Sequence, residues 1–172
     1  MILSDNDIKE AITSGGLKIS PISDDTIREN GVDLKVGTEL LRFRHGEEIN
    51  LLDKLSLDKV YIKEEIKDSF VLNPHEKVLL KVYEEIKMPN NLIGFCNLRS
   101  TFSRLGMSIP PTIVDAGFEG FLTILIIGGE EKVTIPAGMR FLHLVFSTTK
   151  TPVGKPYAGG YQKSKDVTGA KI

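Results

Sequence analysis

The chain has 172 residues, of which 41% are hydrophobic and 26% are charged, and its formal net charge is −1. These are the proportions of one folded globular domain, and the near-neutral charge excludes a general attraction to nucleic acid polymers. The longest apolar run, residues 121–127, is too short to span a bilayer, so we expect a soluble, cytoplasmic protein with no membrane partner. Cys96 is the single cysteine, which excludes an intrachain disulfide, and a lone thiol in an apolar run is typical of a core position.

A short helix is predicted near the N-terminus, and it is the only helix that the pattern indicates. Ser4 is a good N-cap, Ile8 and Ile12 fall at helical spacing, and Gly15 follows as a stop signal. Short β-type runs separated by turn residues follow it, at residues 17–19, 32–36, 39–43, 70–72, 78–83, 92–96, 121–127, 132–135 and 141–146. The pattern therefore predicts a mainly β sandwich or barrel.

Two segments differ from this pattern. Residues 54–68 carry charges of both signs, which is typical of an exposed hairpin or edge region. Residues 151–172 are rich in glycine and lysine and contain too little aliphatic material for a core layer. We therefore predict one β domain over residues 1–150 and a flexible C-terminal arm or lid over residues 151–172.

A first candidate site follows the predicted strand at residues 92–96. Arginines present planar, permanently charged forks that match phosphate oxygens, and hydroxyl groups complete the coordination. A short stretch supplies both kinds of group, in Arg99, Ser100, Thr101 and Arg104. On composition alone, a solvated turn explains the same residues.

Two acidic residues are further candidates. Asp115 lies between an apolar run and a glycine turn, where a carboxylate can either activate water for attack on phosphorus or cap its own turn. Asp33, in the stretch Asn30-Gly31-Val32-Asp33-Leu34, can equally be a turn-stabilising acid or the neighbour of a ligand. The histidines show no pair with metal-ligand spacing, and the sequence contains no zinc-deaminase signature.

Together, these segments resemble the dCTP deaminase family, in its archaeal type, over nearly the whole chain. Residues 2–8, 30–34, 94–106, 112–120 and 136–146 occur in the family's order and spacing. The broader superfamily includes the trimeric dUTPases. The resemblance implies a distorted β-barrel, a homotrimer with sites between subunits, and a pyrimidine deoxynucleoside triphosphate, dUTP or dCTP, as ligand. It also implies Mg²⁺ that is bound through the triphosphate and not by direct protein ligands.

The resemblance further implies roles for particular residues. Asp115 matches the acid with which dUTPases activate water, and Phe118 matches a residue beside the deoxyribose. The family's phosphate-binding segment is matched by Arg99, Ser100, Thr101 and Arg104. The expected base and sugar pocket comprises Pro111, Thr112, Ile113, Val114, Phe118, Thr123, Ile124 and Leu125. Further candidates are Asp33 and, in an arm expected to close over the nucleotide, Tyr157, Tyr161, Lys163 and Lys165.

One departure from the family bears on the reaction. The deaminases that the chain resembles use a glutamate as proton shuttle in the strand after the matched aspartate, and Leu125 stands at that position here. A positioned general base contributes about 10²–10⁴ in rate, and leucine cannot ionise. Deamination is therefore expected to be lost or very slow. Hydrolysis of dUTP to dUMP and diphosphate is the predicted activity.

Two other interpretations stay open. A dCTP deaminase, monofunctional or bifunctional, would need another acid, and Glu119 is the nearest one in the sequence. A non-catalytic nucleotide-binding regulator would keep the phosphate-binding segment, with Asp115 in a structural role. That interpretation rests on Asp166, which replaces a family glycine and would repel a triphosphate unless Lys163 or Lys165 offsets its charge.

Overall fold

The computed structural model describes residues 1–46, 48–52 and 59–171. It begins with helix α1, Asp5–Thr13, which confirms the predicted N-terminal helix. Ser4 caps this helix, because its hydroxyl accepts a hydrogen bond from the Asp7 amide while the Asp7 carboxylate accepts one from the Ser4 amide. Ile8 is fully buried and anchors the helix in the core.

The rest of the described chain is built mainly from β-strands. In chain order they are β1 (Lys18–Ser20), β2 (Ile27–Arg28), β3 (Gly31–Phe43), β4 (Tyr61–Glu65), β5 (Ser69–Leu72), β6 (Lys77–Lys87), β7 (Leu92–Leu98), β8 (Thr112–Val114), β9 (Glu119–Ile127), β10 (Val133–Pro136) and β11 (Arg140–Thr148). Within the described residues, these strands form a nine-stranded sheet and a two-stranded sheet, β10-β5. The larger sheet has the order β1-β6-β3-β11-β7-β8, with β9 added beside β6 and with β2 and β4 beside β3.

The larger sheet curls into a half-barrel around one hydrophobic core. Alternation along the strands produces this core: on β6, for example, Val78, Leu80 and Val82 are fully buried while Leu79 and Lys81 between them are partly exposed. Adjacent strands pair in antiparallel registers, as β6 does with β9 and β11 does with β7. The mainly β, barrel-like fold predicted from the sequence is therefore confirmed.

The structure differs from the prediction in several places. Strands β2 and β8 lie where no β-type run was predicted. Residues 32–36 and 39–43 belong to the single strand β3, because a register shift between Val36 and Leu40 absorbs the break in the apolar pattern. A second helix, α2 (Ser100–Arg104), lies where only a polar turn was expected. It is too short for apolar periodicity to reveal, and Phe102 is its buried residue.

The charged segment at residues 54–68 is only partly described. Its residues Tyr61–Glu65 form β4, which pairs with β3 at the edge of the sheet, as the mixed charge predicted. Residues 54–58 lie outside the described residues, so the prediction is not tested there. In the part of the chain that the structure describes, no helix is both long and apolar enough to cross a membrane.

Candidate active site

A cavity of about 590 Å³ opens between the end of β8, the outward faces of β6 and β9, and the C-terminal segment. This volume lies within the range of small-molecule sites, about 300–1,000 Å³. Most of the predicted pocket residues line it: Thr112, Ile113, Val114, Asp115, Phe118, Thr123, Leu125, Tyr157 and Tyr161. The sequence segments predicted to form a base and sugar pocket thus converge on one cavity.

Asp115 is the first residue of a tight turn that directly follows β8. The Phe118 amide donates to the Asp115 carbonyl at 3.1 Å, and Gly117 adopts a positive φ of 84° to close the turn. A Cβ on Gly117 would lie only 2.6 Å from the Cβ of Pro156, so the turn also needs glycine for contact with the C-terminal segment. Asp115 is exposed, and it is the only Asp or Glu among the described residues that line the cavity.

Strand β9 supplies one wall of the cavity, mainly through alternate residues, although Leu122 also reaches it. Phe121, Thr123 and Leu125 face it, and Leu125 lies directly opposite Leu79 of β6, which also lines the cavity. Ile124, although predicted to be a pocket residue, points the other way and is 2% exposed in the core. The reason is the two-residue period of a strand, which places neighbours on opposite faces.

Pro111 is the other predicted pocket residue that does not line the cavity. It is exposed, just before β8, whereas Thr112, Ile113 and Val114 on that strand all reach the cavity wall. Ile113 is 54% exposed, which is unusual for an isoleucine on a strand. The approach to the cavity is therefore apolar on the β8 side.

The C-terminal segment packs against the turn that carries Asp115. The Tyr157 amide donates to the Ala116 carbonyl at 2.9 Å, and the Tyr157 and Phe118 rings are in contact with centroids 5.8 Å apart. Gln162 bridges the same turn, because its side chain donates to the Gly117 carbonyl and accepts from the Glu119 amide, both at 2.9 Å. Sequence reasoning missed Gln162, whose only signal was that it is a long amide in a polar segment.

The charged residues of this segment lie away from the cavity. Lys163 and Lys165 are exposed and do not line it. Asp166 is also exposed, and its nearest cation is Lys63 of β4 at 3.6 Å, not Lys163 or Lys165. The Asp166 carboxylate, which was expected to repel a triphosphate, therefore lies beside Lys63 at the edge of the sheet.

The predicted phosphate-binding residues lie on a different part of the surface. Arg99 and Ser100 line a second cavity of about 320 Å³, between β7, α2 and β3, and this cavity shares no residue with the one that holds Asp115. Thr101 and Arg104 are exposed on α2. The Asp115 cavity is lined by no Lys, Arg or His among its described residues.

Asp33 lies at the centre of a charge cluster beside this second cavity. It is 2% exposed, within β3 and not in a turn, and it stands opposite His143 of β11. Its carboxylate contacts the Nε of Arg99 at 2.9 Å, a guanidinium nitrogen of Arg140 at 3.3 Å and the Nδ1 of His143 at 2.9 Å. Sequence reasoning missed Arg140, although an acid between Val32 and Leu34 implies a buried carboxylate that needs cationic partners.

Comparison with known proteins identifies the family of this chain. A family model described as dCTP deaminase-like matches residues 2–149. The chain belongs to the dCTP deaminase-like family. One relative, a probable deoxyuridine 5'-triphosphate nucleotidohydrolase of Sulfolobus islandicus rod-shaped virus 1, is 54% identical over 99% of both chains. Another, a dCTP deaminase of Acidianus ambivalens, is 49% identical over 98% of this chain and 96% of its own.

Solved structures give the same fold for this dCTP deaminase-like chain. The 2'-deoxycytidine 5'-triphosphate deaminase of Agrobacterium tumefaciens superposes with a TM-score of 0.69 at 21% identity, covering 84% of this chain and 46% of that one. The EIAV dUTPase superposes with a TM-score of 0.53 at 14% identity, covering 84% of this chain and 97% of that one. Solved structures of a dCTP deaminase and of a dUTPase therefore both share the fold of this chain.

Two remaining candidates for chemistry in this family member lie outside the cavity. Glu119 binds Lys87 at 3.0 Å, and this hydrogen bond lowers the pKa of the Glu119 carboxyl below its usual range. Cys96 is buried on β7, where desolvation raises the pKa of its thiol to about 12. Neither residue lines the cavity, and the un-ionised thiol of Cys96 is a poor base and nucleophile.

Proposed function

We propose that this protein is a dUTP diphosphatase, which hydrolyses dUTP to dUMP and diphosphate. The observation that carries the proposal is the composition of the cavity: Asp115 is the only carboxylate among its described lining residues, and Leu125 occupies the strand where a deaminase needs an acid. A carboxylate can accept a proton from water as that water attacks phosphorus. The name of the viral relative at 54% identity supports the same reaction.

In the proposed mechanism, Asp115 orients a water molecule and accepts its proton as the water oxygen attacks the α-phosphorus. The bond between that phosphorus and the bridging oxygen of diphosphate breaks as the new bond forms. Leu79, Leu125 and Phe118 give the cavity apolar walls, which exclude other water molecules and strengthen the hydrogen bond to the attacking one. The C-terminal segment covers the same cavity and serves as its lid.

Magnesium is expected to enter with the triphosphate, whose charge it would neutralise. The described residues contain no group of three or more His, Cys, Asp or Glu side chains that could hold a metal ion. We propose that phosphate oxygens and water would hold the ion, while Asp115 acts only on the attacking water.

A site shared between subunits explains the separation of Asp115 from the arginines. A triphosphate carries several negative charges, and the cavity built by one chain offers no described cation to bind them. Arg104 is exposed at the end of α2 and forms no ion pair within the described residues. In a homotrimer, the Arg99–Arg104 segment of one subunit would complete the Asp115 cavity of the next.

Mixed trimers test this arrangement. Asp115→Asn and Arg104→Ala are each expected to be inactive alone, but mixed trimers would regain about a third of wild-type activity, because every mixed trimer contains one site of the three with both residues intact. The measurement is diphosphate release by the doubly tagged, co-purified protein. A mixture as inactive as its parents would place both residues in one subunit's site.

A dCTP deaminase remains the second candidate, because relatives of 42–49% identity carry that name. This function lacks an acid for proton transfer to the base. Glu119 binds Lys87 outside the cavity, and Leu125, opposite Leu79, cannot ionise. The two functions separate when the purified protein is incubated with dUTP or dCTP in magnesium. We expect diphosphate and dUMP from dUTP and no ammonia from dCTP. Ammonia from dCTP at a comparable rate would favour the deaminase.

Restoring the missing acid is a companion prediction. Leu125→Glu places a carboxylate on the cavity face of β9, and we expect ammonia release from dCTP to become detectable, because a positioned general base contributes about 10²–10⁴ in rate. Leu125→Gln is the matched control, since it has nearly the same shape and cannot ionise. Equal rates for the two variants would mean that an acid at this position has no part in base chemistry.

A further inference from the structure

The last part of the C-terminal segment, residues 166–171, is held to the protein by side-chain acceptors. The Val167 amide donates to the Glu39 carboxylate and the Thr168 amide to the Thr123 hydroxyl, both at 3.1 Å. The Ala170 amide donates to the Tyr61 hydroxyl, also at 3.1 Å. Because these are not backbone pairs of a sheet, the positions of the three side chains decide the path of the segment.

Tyr61 contacts two successive residues of this segment, Gly169 and Ala170. Besides accepting from Ala170, it lies so close to Gly169 that a Cβ on that glycine would come within 2.7 Å of the ring Cδ2. Real Cβ atoms do not approach other atoms so closely. Only glycine fits between the ring and the continuing chain, so the contact is specific for both residues.

Tyr61 is itself fixed by the edge of the sheet. It begins β4 directly opposite Phe43 of β3, and the two rings meet edge to face with centroids 5.3 Å apart. Phe43, Tyr61, Gly169 and Ala170 all line the cavity that holds Asp115. The position of the Tyr61 ring therefore sets the position of one cavity wall.

A charge cluster anchors the beginning of the same segment. Glu39 contacts Lys63 at 2.6 Å and Lys81 at 3.1 Å in addition to the Val167 amide. Burial by itself would raise the pKa of Glu39, but hydrogen bonds from Lys63, Lys81 and Val167 outweigh it and lower the pKa, so the carboxylate stays ionised at neutral pH. The segment is thus held by the side chains of Glu39, Thr123 and Tyr61, and the Lys171 amide at its end donates to the Tyr161 hydroxyl.

We propose that Tyr61 is a positioning residue of the active site, which acts through Gly169 and Ala170 to hold the C-terminal segment as a wall of the Asp115 cavity. The kinetic consequence rests on the proposed function, whereas the contact itself does not. Because the wall binds the nucleotide without touching the reacting atoms, its loss weakens binding in the ground state and the transition state alike. Such a loss raises KM and leaves kcat unchanged.

Two conservative variants test the contact and its effect separately. Tyr61→Phe removes only the hydroxyl acceptor, and Gly169→Ala adds a methyl group against the ring. Tyr83→Phe is the matched control on β6, where the tyrosine is 48% exposed and does not line the cavity. Gly154→Ala is the matched control in the C-terminal segment, since a Cβ there would meet nothing within 4 Å. Amide exchange of residues 166–171 is measured without nucleotide, and KM and kcat are measured with dUTP and magnesium.

We expect exchange at residues 166–171 to become roughly two- to tenfold faster in Tyr61→Phe, as for one lost hydrogen bond, and at least as fast in Gly169→Ala. KM should rise by a similar factor while kcat stays unchanged, and neither control should differ from wild type. Unchanged exchange in both variants would overturn the contact. Faster exchange with unchanged KM, or with a fall in kcat alone, would overturn the positioning role. If wild type does not hydrolyse dUTP, the exchange result still decides the contact and only the proposed function fails.

Discussion

Asp115→Asn is expected to lower kcat for dUTP by about 10²–10⁴-fold, because the amide keeps the shape of the side chain but cannot accept a proton from water. Among the described lining residues, no other carboxylate can take over the task. Binding should be retained, since removal of one negative charge near a triphosphate does not weaken its attraction to the site. The measurements are steady-state diphosphate release and the dissociation constant of a non-hydrolysable dUTP analogue.

Asp24→Asn is the matched control, because Asp24 is an exposed aspartate outside the cavity. It should leave both kcat and the dissociation constant unchanged. Diphosphate release that survives Asp115→Asn at more than a tenth of the wild-type rate would contradict the mechanism. Loss of analogue binding in Asp115→Asn would instead assign the residue to ligand binding.

Asp33→Ala is expected to lower the free energy of unfolding by about 2–3 kcal/mol, because it leaves the charges of Arg99 and Arg140 in the cluster without their shared acceptor. The value stays below the range for fully buried pairs, since the two arginine side chains are 30% and 26% exposed and water screens them. Denaturant unfolding measures the change. Both proteins must be compared at the same concentration, because any self-association would contribute to the measured stability.

Asp24→Ala serves as the control for this change, since it removes an exposed aspartate and should change the free energy of unfolding little. Asp33→Asn refines the test, because it keeps an oxygen acceptor for one arginine and should be less destabilising than alanine. An Asp33→Ala protein as stable as wild type would mean that solvent satisfies the arginines without the carboxylate.

Much of the fold and of the cavity could be predicted because period-two patterns and local motifs contain the necessary information. The apolar runs predicted most of the strands, although not β2, β4 or β8, and Thr112, Ile113, Val114 and Phe118 line one cavity. Ile124 shows how the prediction was limited: the pocket was assigned to consecutive residues, whereas the strand presents Thr123 and Leu125 to one side and Ile124 to the other. Strict use of the strand period would have excluded it.

Features that depend on contacts between distant segments could not be predicted. Asp33 meets Arg99 and Arg140 through the registers of β3, β11 and β7, and a single sequence does not report register. The same limit applies to Tyr61, which reaches Gly169 and Ala170 across more than a hundred residues of chain. Whether the C-terminal segment is flexible, and whether the assembly is a trimer, remain predictions.

The position of the attacking oxygen distinguishes the proposed reaction from every alternative raised above. Wild-type protein is incubated with magnesium and dUTP in isotopically labelled water, with a parallel reaction on dCTP. We predict that one labelled oxygen appears on the phosphate of dUMP, that none appears in diphosphate, and that dCTP releases no ammonia. Label in diphosphate, or ammonia from dCTP formed faster than dUMP from dUTP, would contradict the assignment of Asp115 and Leu125 to a dUTP diphosphatase.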